Sequence, residues 1–193
     1  MGSITKIMTR LSLVLLVAGD VARAAPNPDD IWSYQINTAT AGRWAVLPDR
    51  PKPEIVATQG AQFAQALRVQ GRHGANPWDI QVSSPAGAAI PHGHLVLLLL
   101  YARAEKPAEG GSVLPIKLQL AADPYTALLQ ADRRIDGTWK QYCAYAVAAQ
   151  DFPAATNVTI FLGGAEQVVD FGPAFVFDLG TGFDQTRLPH CDQ

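Results

Sequence analysis

The most constraining feature of this sequence is a succession of short β-type segments at regular spacing. From residue 63 onwards, apolar or alternating runs of five to twelve residues are separated by clusters of Gly, Pro, Asn and Asp. This rhythm is typical of antiparallel sheets joined by tight connections. The predicted strands cover residues 63–70, 79–83, 95–104, 116–121, 127–135, 138–148, 158–162 and 168–179.

The patterns inside these segments indicate how each strand is buried. Residues 116–120 alternate apolar and polar, as a half-buried strand does, whereas residues 95–104 are apolar almost throughout, as in a strand buried on both faces. Asp123–Pro124 interrupts the one segment that could be argued as helical, and Gly172–Pro173 predicts a bulge or break in the last strand. We therefore expect an all-β fold, a two-sheet antiparallel β-sandwich of jelly-roll type in a single domain.

The N-terminal residues have the layout of a secretory signal peptide. Lys6 and Arg10 precede the apolar run 11–18, and the small-residue site 21–25 follows. An amphipathic helix of the folded domain is the alternative interpretation. Cleavage after Ala24 would leave a β-sandwich domain over residues 25–193, which we expect to be secreted or periplasmic.

Composition narrows the range of partners. Charged residues make up 17% of the chain and the formal net charge is −2, so we expect no nucleic-acid partner, which would require a basic excess, and no membrane partner. Cys143 and Cys191 form an even pair that an exported protein could join in a disulfide. Two free thiols are the alternative, because geometry cannot be read from sequence.

Short motifs in a particular order carry a resemblance to a known family. They are Leu67–Val69, Asn76–Asp79, Leu97–Ala104, Pro124–Thr126, Thr138–Tyr142, Phe161–Gly163 and Val176–Asp178. This succession resembles the carbohydrate-binding modules of the CBM4/9/22 type, which are galactose-binding-like jelly rolls often attached to glycoside hydrolases. The resemblance implies a non-catalytic module that binds a polysaccharide or oligosaccharide of xylan or β-glucan type in a cleft on a concave sheet. It also implies a separate glycoside hydrolase as a partner.

Sugar rings offer flat C–H faces and a rim of hydroxyls, so a binding cleft needs aromatic platforms with polar groups between them. Trp78 is the first platform candidate, although strict alternation would place it in the core on the side opposite Asp79. The resemblance favours a cleft position for this tryptophan. The full set of predicted ligand-binding residues is Trp78, Tyr125, Gln119, Gln167, Glu166, Arg103, Asp79 and Gln81.

Other residues receive structural interpretations. Arg103 could also pair with an acid such as Glu105 or Asp79. The resemblance assigns Trp139 to the core and makes Asp178, with Glu54, a candidate for a structural calcium site. We expect no other cofactor.

Two further function classes stay open. No recognisable catalytic or phosphate-binding motif is present in the sequence, but a jelly-roll polysaccharide lyase could use Tyr125, His73 and Arg103 for proton abstraction. A structural or protein-interaction subunit is the third class. His92 and His94 would share one face of a strand and could take a metal, if His73 or His190 supplied a third ligand.

Overall fold

The computed structural model describes residues 26–27 and 29–191; the predicted signal peptide lies outside them. The described chain forms ten strands and four short 3-10 turns. Two turns precede the first strand (Ile31–Tyr34 and Ala41–Arg43), one lies between the third and fourth strands (Pro77–Asp79), and one follows the last strand (Gln185–Arg187). The strands are β1 (Ala45–Leu47), β2 (Glu54–Ala57), β3 (Gln65–Gly71), β4 (Gln81–Pro85), β5 (Leu95–Lys106), β6 (Ser112–Leu120), β7 (Ala127–Ile135), β8 (Lys140–Val147), β9 (Thr156–Phe161) and β10 (Gln167–Asp178). The sequence analysis missed β1 and β2, which are the shortest strands.

Two five-stranded antiparallel sheets face each other. The first sheet has the order β1-β4-β9-β6-β7 and the second has the order β2-β3-β10-β5-β8. The predicted two-sheet β-sandwich is therefore confirmed. Between the sheets lies a large apolar cluster, in which Val82, Leu98, Leu118, Ile160 and Val176 are each no more than 1% exposed.

Strand β5 is buried on both faces, as its continuous apolar sequence predicts. Leu98 and Leu100 face the first sheet, whereas Leu97 and Leu99 face outward into a second apolar cluster. The N-terminal segment around Trp32 and the C-terminal segment around Leu188 cover this outer cluster. Both ends of the described chain thus pack on the second sheet.

The predicted irregularity in the last strand is confirmed at Gly172–Pro173. The register between β10 and β5 shifts between Phe171 and Ala174, which marks a bulge. A Cβ at Gly172 would lie 2.5 Å from Cζ of Phe63. The glycine is therefore required for the close approach of that ring, and its carbonyl accepts a 2.9 Å hydrogen bond from the Trp44 indole.

A charged cluster lies on the outer face of the second sheet. Asp170 is fully buried and accepts hydrogen bonds from Arg68 (2.7 and 2.9 Å) and from Arg103 (3.0 Å). Glu105 bridges both guanidinium groups. Hydrogen bonding to Asp170 raises the pKa of Arg68 above its ordinary range.

The sequence analysis assigns Trp139 to the core, and this prediction is wrong. The residue lies next to the same charged cluster, with the Arg103 guanidinium 5.2 Å from its ring centroid and Phe63 in an edge contact at 4.9 Å. It belongs to neither apolar cluster of the described chain. Its packing partners are a cation and an aromatic ring on the outer surface.

Cys143 and Cys191 form a disulfide across a sequence separation of 48 residues. Cys143 is part of the outer apolar cluster, and Cys191 packs against it. The bridge thus holds the C-terminal segment on the second sheet. The four described helical segments are turns of three or four residues, and none of them could cross a membrane.

Removing the disulfide should lower the free energy of unfolding substantially. For the double variant Cys143→Ser, Cys191→Ser, the entropy of a closed loop of 48 residues predicts a loss of about 4 kcal/mol. Denaturant unfolding measures the loss. Reductant should bring the unmodified protein to the same midpoint and leave the variant unchanged; equal midpoints of variant and oxidised protein would contradict the prediction.

Replacing the buried carboxylate of the charged cluster should also be costly. Asp170→Asn removes the buried anion that both guanidinium groups share and leaves only the more exposed Glu105 between them, and we expect a loss of about 3 kcal/mol in the free energy of unfolding. The matched control is Asp132→Asn, because Asp132 is exposed on β7. A loss no greater than that of the control would show that Asp170 does not hold the cluster together.

Candidate functional site

The outer face of the first sheet carries polar side chains across its middle strands, and we call this surface the polar face. Strand pairing places Ser83, Thr159, Lys117 and Gln130 in one row across β4, β9, β6 and β7. The neighbouring rows contain Gln81 with Phe161 on one side and Asn157 with Gln119 on the other. The alternate residues of the same strands point into the core.

The floor of the polar face is recessed. Thr159 is 1% exposed, Gln119 is 5% exposed and Ser83 is 9% exposed, although all three point away from the core. Lys117 pairs directly with Thr159, and Phe161 stands two residues further along β9, so two longer side chains flank the short one. Within the described chain the amide of Gln119 makes no hydrogen bond. A nearly buried amide of this kind is a ready partner for an incoming hydroxyl.

Lys117 and Phe161 form the border of this floor. The ammonium group of Lys117 lies 5.5 Å from the centroid of the Phe161 ring, which is within the range of a cation–π contact. Phe161 is half-buried and thus offers part of a flat apolar surface beside the polar groups.

Trp78 lies at one end of the polar face, on the 3-10 turn that leads into β4. The side chain is 60% exposed, so the core interpretation of this tryptophan is wrong, and its place in a binding cleft stays a prediction. The carbonyl of Pro77 accepts a 2.8 Å hydrogen bond from the backbone N–H of Gly163, just beyond β9. A Cβ at Gly163 would lie 2.4 Å from the carbonyl oxygen of Asn76, so only glycine permits this approach.

Asp79 caps the turn that carries Trp78. Its carboxylate accepts hydrogen bonds from the backbone N–H of Asn76 at 3.0 Å and from the Asn76 amide at 3.4 Å. These bonds, the backbone bond first, lower the pKa of Asp79. The structure thus gives Asp79 the role of positioning the turn, while Gln81 stands on the polar face itself.

Tyr125 lies at the opposite end of the polar face, in the connection between β6 and β7. The side chain is 53% exposed, and the backbone has a φ of 54°, a left-handed conformation that few residues other than glycine adopt. Such conformations cluster at functional sites. Backbone bonds from Leu120 to Thr126 and from Tyr125 to Ala122 define this turn.

Glu166 and Gln167 do not reach the polar face. Gln167 begins β10 and pairs with Gly71 in the second sheet. The two residues line a separate depression of about 290 Å³ together with Arg72 and Lys106. The prediction that they join Trp78 and Gln119 in one cleft is therefore wrong in geometry, because the chain changes sheets between β9 and β10.

Arg103 also lies apart from the polar face, since it belongs to the charged cluster with Asp170 and Glu105 on the second sheet. The alternative interpretation, an ion pair with Glu105, agrees with the structure. This placement separates the three residues suggested for a lyase. His73 lies in the connection after β3, and Tyr125 lies at the far end of the first sheet.

The structure does not bring the proposed metal ligands together. Asp178 Oδ1 lies 2.8 Å from His94 Nδ1 and accepts a 3.1 Å hydrogen bond from the Gly180 N–H. Glu54 pairs beside Arg68 at the other end of the second sheet. Among the described residues no group of three acidic, histidine or cysteine side chains could hold a metal ion. Calcium at Asp178 stays a prediction.

Sequence reasoning missed Ser83, Lys117, Thr159 and Phe161. Period-two alternation could have found the last two, because Thr159 and Phe161 alternate with core residues in β9. The sequence analysis predicts a strand over 158–162 but assigns no role to its outward side.

The fold is similar to that of solved carbohydrate-binding modules. A CBM4 structure superposes with a TM-score of 0.53 at 14% identity, covering 70% of this chain and 86% of that one. The CBM22 xylan-binding domain from Paenibacillus barcinonensis gives 0.52 at 13% identity, covering 77% and 94%. The CBM22 and GH10 modules of a Clostridium thermocellum xylanase, complexed with xylohexaose, give 0.52 at 12% identity and cover 83% and 30%.

These similarities show a jelly-roll fold of the carbohydrate-binding-module type. The sequence matches no family model and no curated protein.

Loss of the Asp79 carboxylate should loosen the turn that carries Trp78, and hydrogen exchange can measure this change. In Asp79→Ala, hydrogen exchange at the Asn76 amide should accelerate, because that N–H loses its acceptor. In the unmodified protein the pKa of Asp79 is lowered. The cap is therefore complete at any pH above the ordinary carboxyl range, and it is lost as the pH falls through the folded-state pKa of Asp79.

Asp184→Ala is the matched control for this experiment, because Asp184 caps the backbone N–H of Thr186 in the same way far from Trp78. Unchanged exchange at Asn76 in Asp79→Ala would refute the capping role.

Proposed function

We propose that the polar face binds a neutral polysaccharide or oligosaccharide of xylan or β-glucan type, between Trp78 and Tyr125. The single observation that carries the proposal is a recessed polar floor bordered by two exposed aromatic side chains. Aromatic rings stack on the C–H faces of sugars, and amides and hydroxyls bond the rim. Both types of group are present on one uncovered surface.

Charge favours a neutral ligand. Lys117 is the central charged residue of the polar face and already lies over the Phe161 ring. The rows between Gln81 and Gln119 otherwise carry amides, hydroxyls and the Phe161 ring, with Asp132 on β7 as the outward acid. A uronate polymer would require more cations on this surface than the described strands provide.

Binding without catalysis fits the same surface. Glycoside hydrolysis needs two carboxyl groups on opposite sides of the scissile bond. Among the described strand residues of the first sheet that face outward, Asp132 is the one acid. The similarity to solved carbohydrate-binding modules supports this interpretation, and one of them was complexed with xylohexaose.

The proposed setting is outside the cytoplasm. Residues 1–24 have the pattern of a signal peptide, and a structural disulfide is stable in an oxidising compartment. A separate glycoside hydrolase acting on the same polysaccharide is the partner that this role implies.

Affinity electrophoresis against xylan, β-glucan, mannan, pectin and alginate tests the proposal. We expect retardation by a neutral glycan, weakened roughly tenfold or more in Trp78→Ala and in Tyr125→Ala by the loss of a stacking ring. Gln119→Ala should also weaken binding, because it removes the unpaired amide of the floor.

The matched control is Trp32→Ala, since Trp32 is similarly exposed but lies on the second sheet. Circular dichroism checks that each variant is folded. Retardation that is lost equally in the control, or absent for every glycan, would contradict the proposal and favour a structural subunit. Shortening of pectin or alginate would instead favour a lyase.

A further inference from the structure

A second concave site lies where the edge strands β7 and β8 face each other beneath the C-terminal segment. It has a volume of about 760 Å³ and includes Gln130, Tyr145, Gln185, Thr186, Leu188 and His190 in its lining. We call it the edge cavity. Its volume is within the usual range of small-molecule sites.

Specific contacts hold the walls of the edge cavity in place. Arg133 on β7 donates hydrogen bonds of 3.2 and 2.7 Å to the carbonyl of Cys143 on β8, which links the two edge strands. The disulfide at Cys191 fixes the C-terminal wall to β8. Phe183 makes an edge contact with Tyr34 at 5.8 Å, which anchors the start of the same segment.

The lining is neutral and mixed in character. Arg133, the one lining residue that is always charged, directs Nε and Nη2 to the Cys143 carbonyl and Nη1 to the Asp132 carbonyl. The other described polar groups are two amides, two hydroxyls (Tyr145 and Thr186) and an imidazole. No lysine, aspartate or glutamate is among the described lining residues, so a strongly charged ligand has little to pair with.

Tyr145 gives the edge cavity a flat aromatic surface. Its side chain is 47% exposed, and Leu188 and Pro189 add apolar surface nearby. Aromatic and apolar faces combined with neutral donors and acceptors match a molecule with C–H faces and a rim of hydroxyls.

We infer that the edge cavity is a second saccharide-binding site, which takes a short neutral oligosaccharide stacked on Tyr145. The C-terminal segment forms its closing wall, and the disulfide keeps that wall in place. The edge cavity adjoins the polar face at Gln130, but its stacking ring is a different one. Tyr145 belongs to the second sheet, whereas Trp78 lies on the turn that leads into β4 of the first sheet. Oxidation of Cys143 and Cys191 is thus a condition for binding there.

Nitrogen-15 amide spectra of the protein, titrated with xylotriose, cellotriose, mannotriose and galactotriose, test the inference. We expect one of these probes to shift the amides of residues 144–145 and 185–190, whatever happens at Gln119 and Thr159. Tyr145→Ala should raise the dissociation constant obtained from these shifts by about tenfold. Tyr145→Phe should leave that constant unchanged. Trp78→Ala should leave it unchanged, so failure of the polar face and failure of the edge cavity are distinguishable.

The disulfide provides an independent arm of the experiment. The double variant Cys143→Ser, Cys191→Ser should lose the shifts at the edge cavity and keep any shifts at Gln119. Shifts that survive both Tyr145→Ala and disulfide removal, or no shifts at residues 144–145 and 185–190 with any probe, would overturn the inference. Loss in Tyr145→Ala with no effect of the disulfide would overturn the role of the C-terminal wall.

Discussion

The pairing of β5 with β10 is the constraint on which the rest of the structure depends. Both strands are twelve residues long and run antiparallel at the centre of the second sheet. Because β5 is apolar on both faces, each face must be covered. The first sheet covers the face of Leu98, and the terminal segments cover the face of Leu97. One strand pair thus organises both apolar clusters of the described chain.

This constraint makes the two outer surfaces unequal. The second sheet uses its outer surface for stability, with the terminal segments and the disulfide at one end and the Asp170 cluster at the other. The first sheet has shorter inner strands and receives no such cover from the described chain. Its outward side chains are therefore polar, and their hydrogen-bonding capacity is open to a ligand. The proposed function follows from this division of roles.

The predicted site residues are likewise divided between the two sheets. Gln81 and Gln119 alternate with core residues in strands of the first sheet, and both stand on the polar face. Arg103 alternates in the same manner but belongs to the second sheet, whereas Gln167 begins β10 on the same side as the core residues Val169 and Phe171. Alternation shows which neighbours share a face, but it does not show to which sheet that face belongs. The Arg103–Asp170 pair joins residues 67 positions apart, and no local pattern links them.

The sequence by itself determined the all-β class, the approximate strands, the double burial of β5 and the irregularity at Gly172–Pro173. These features depend on side-chain period and on the backbone preferences of single residues, which act over a few positions. Tertiary structure alone decided the sheet membership of each strand, the exposure of Trp78, the location of Trp139 and the pairing of Cys143 with Cys191. These depend on contacts between distant segments, whose free energies are set by how the two sheets and the chain ends pack together.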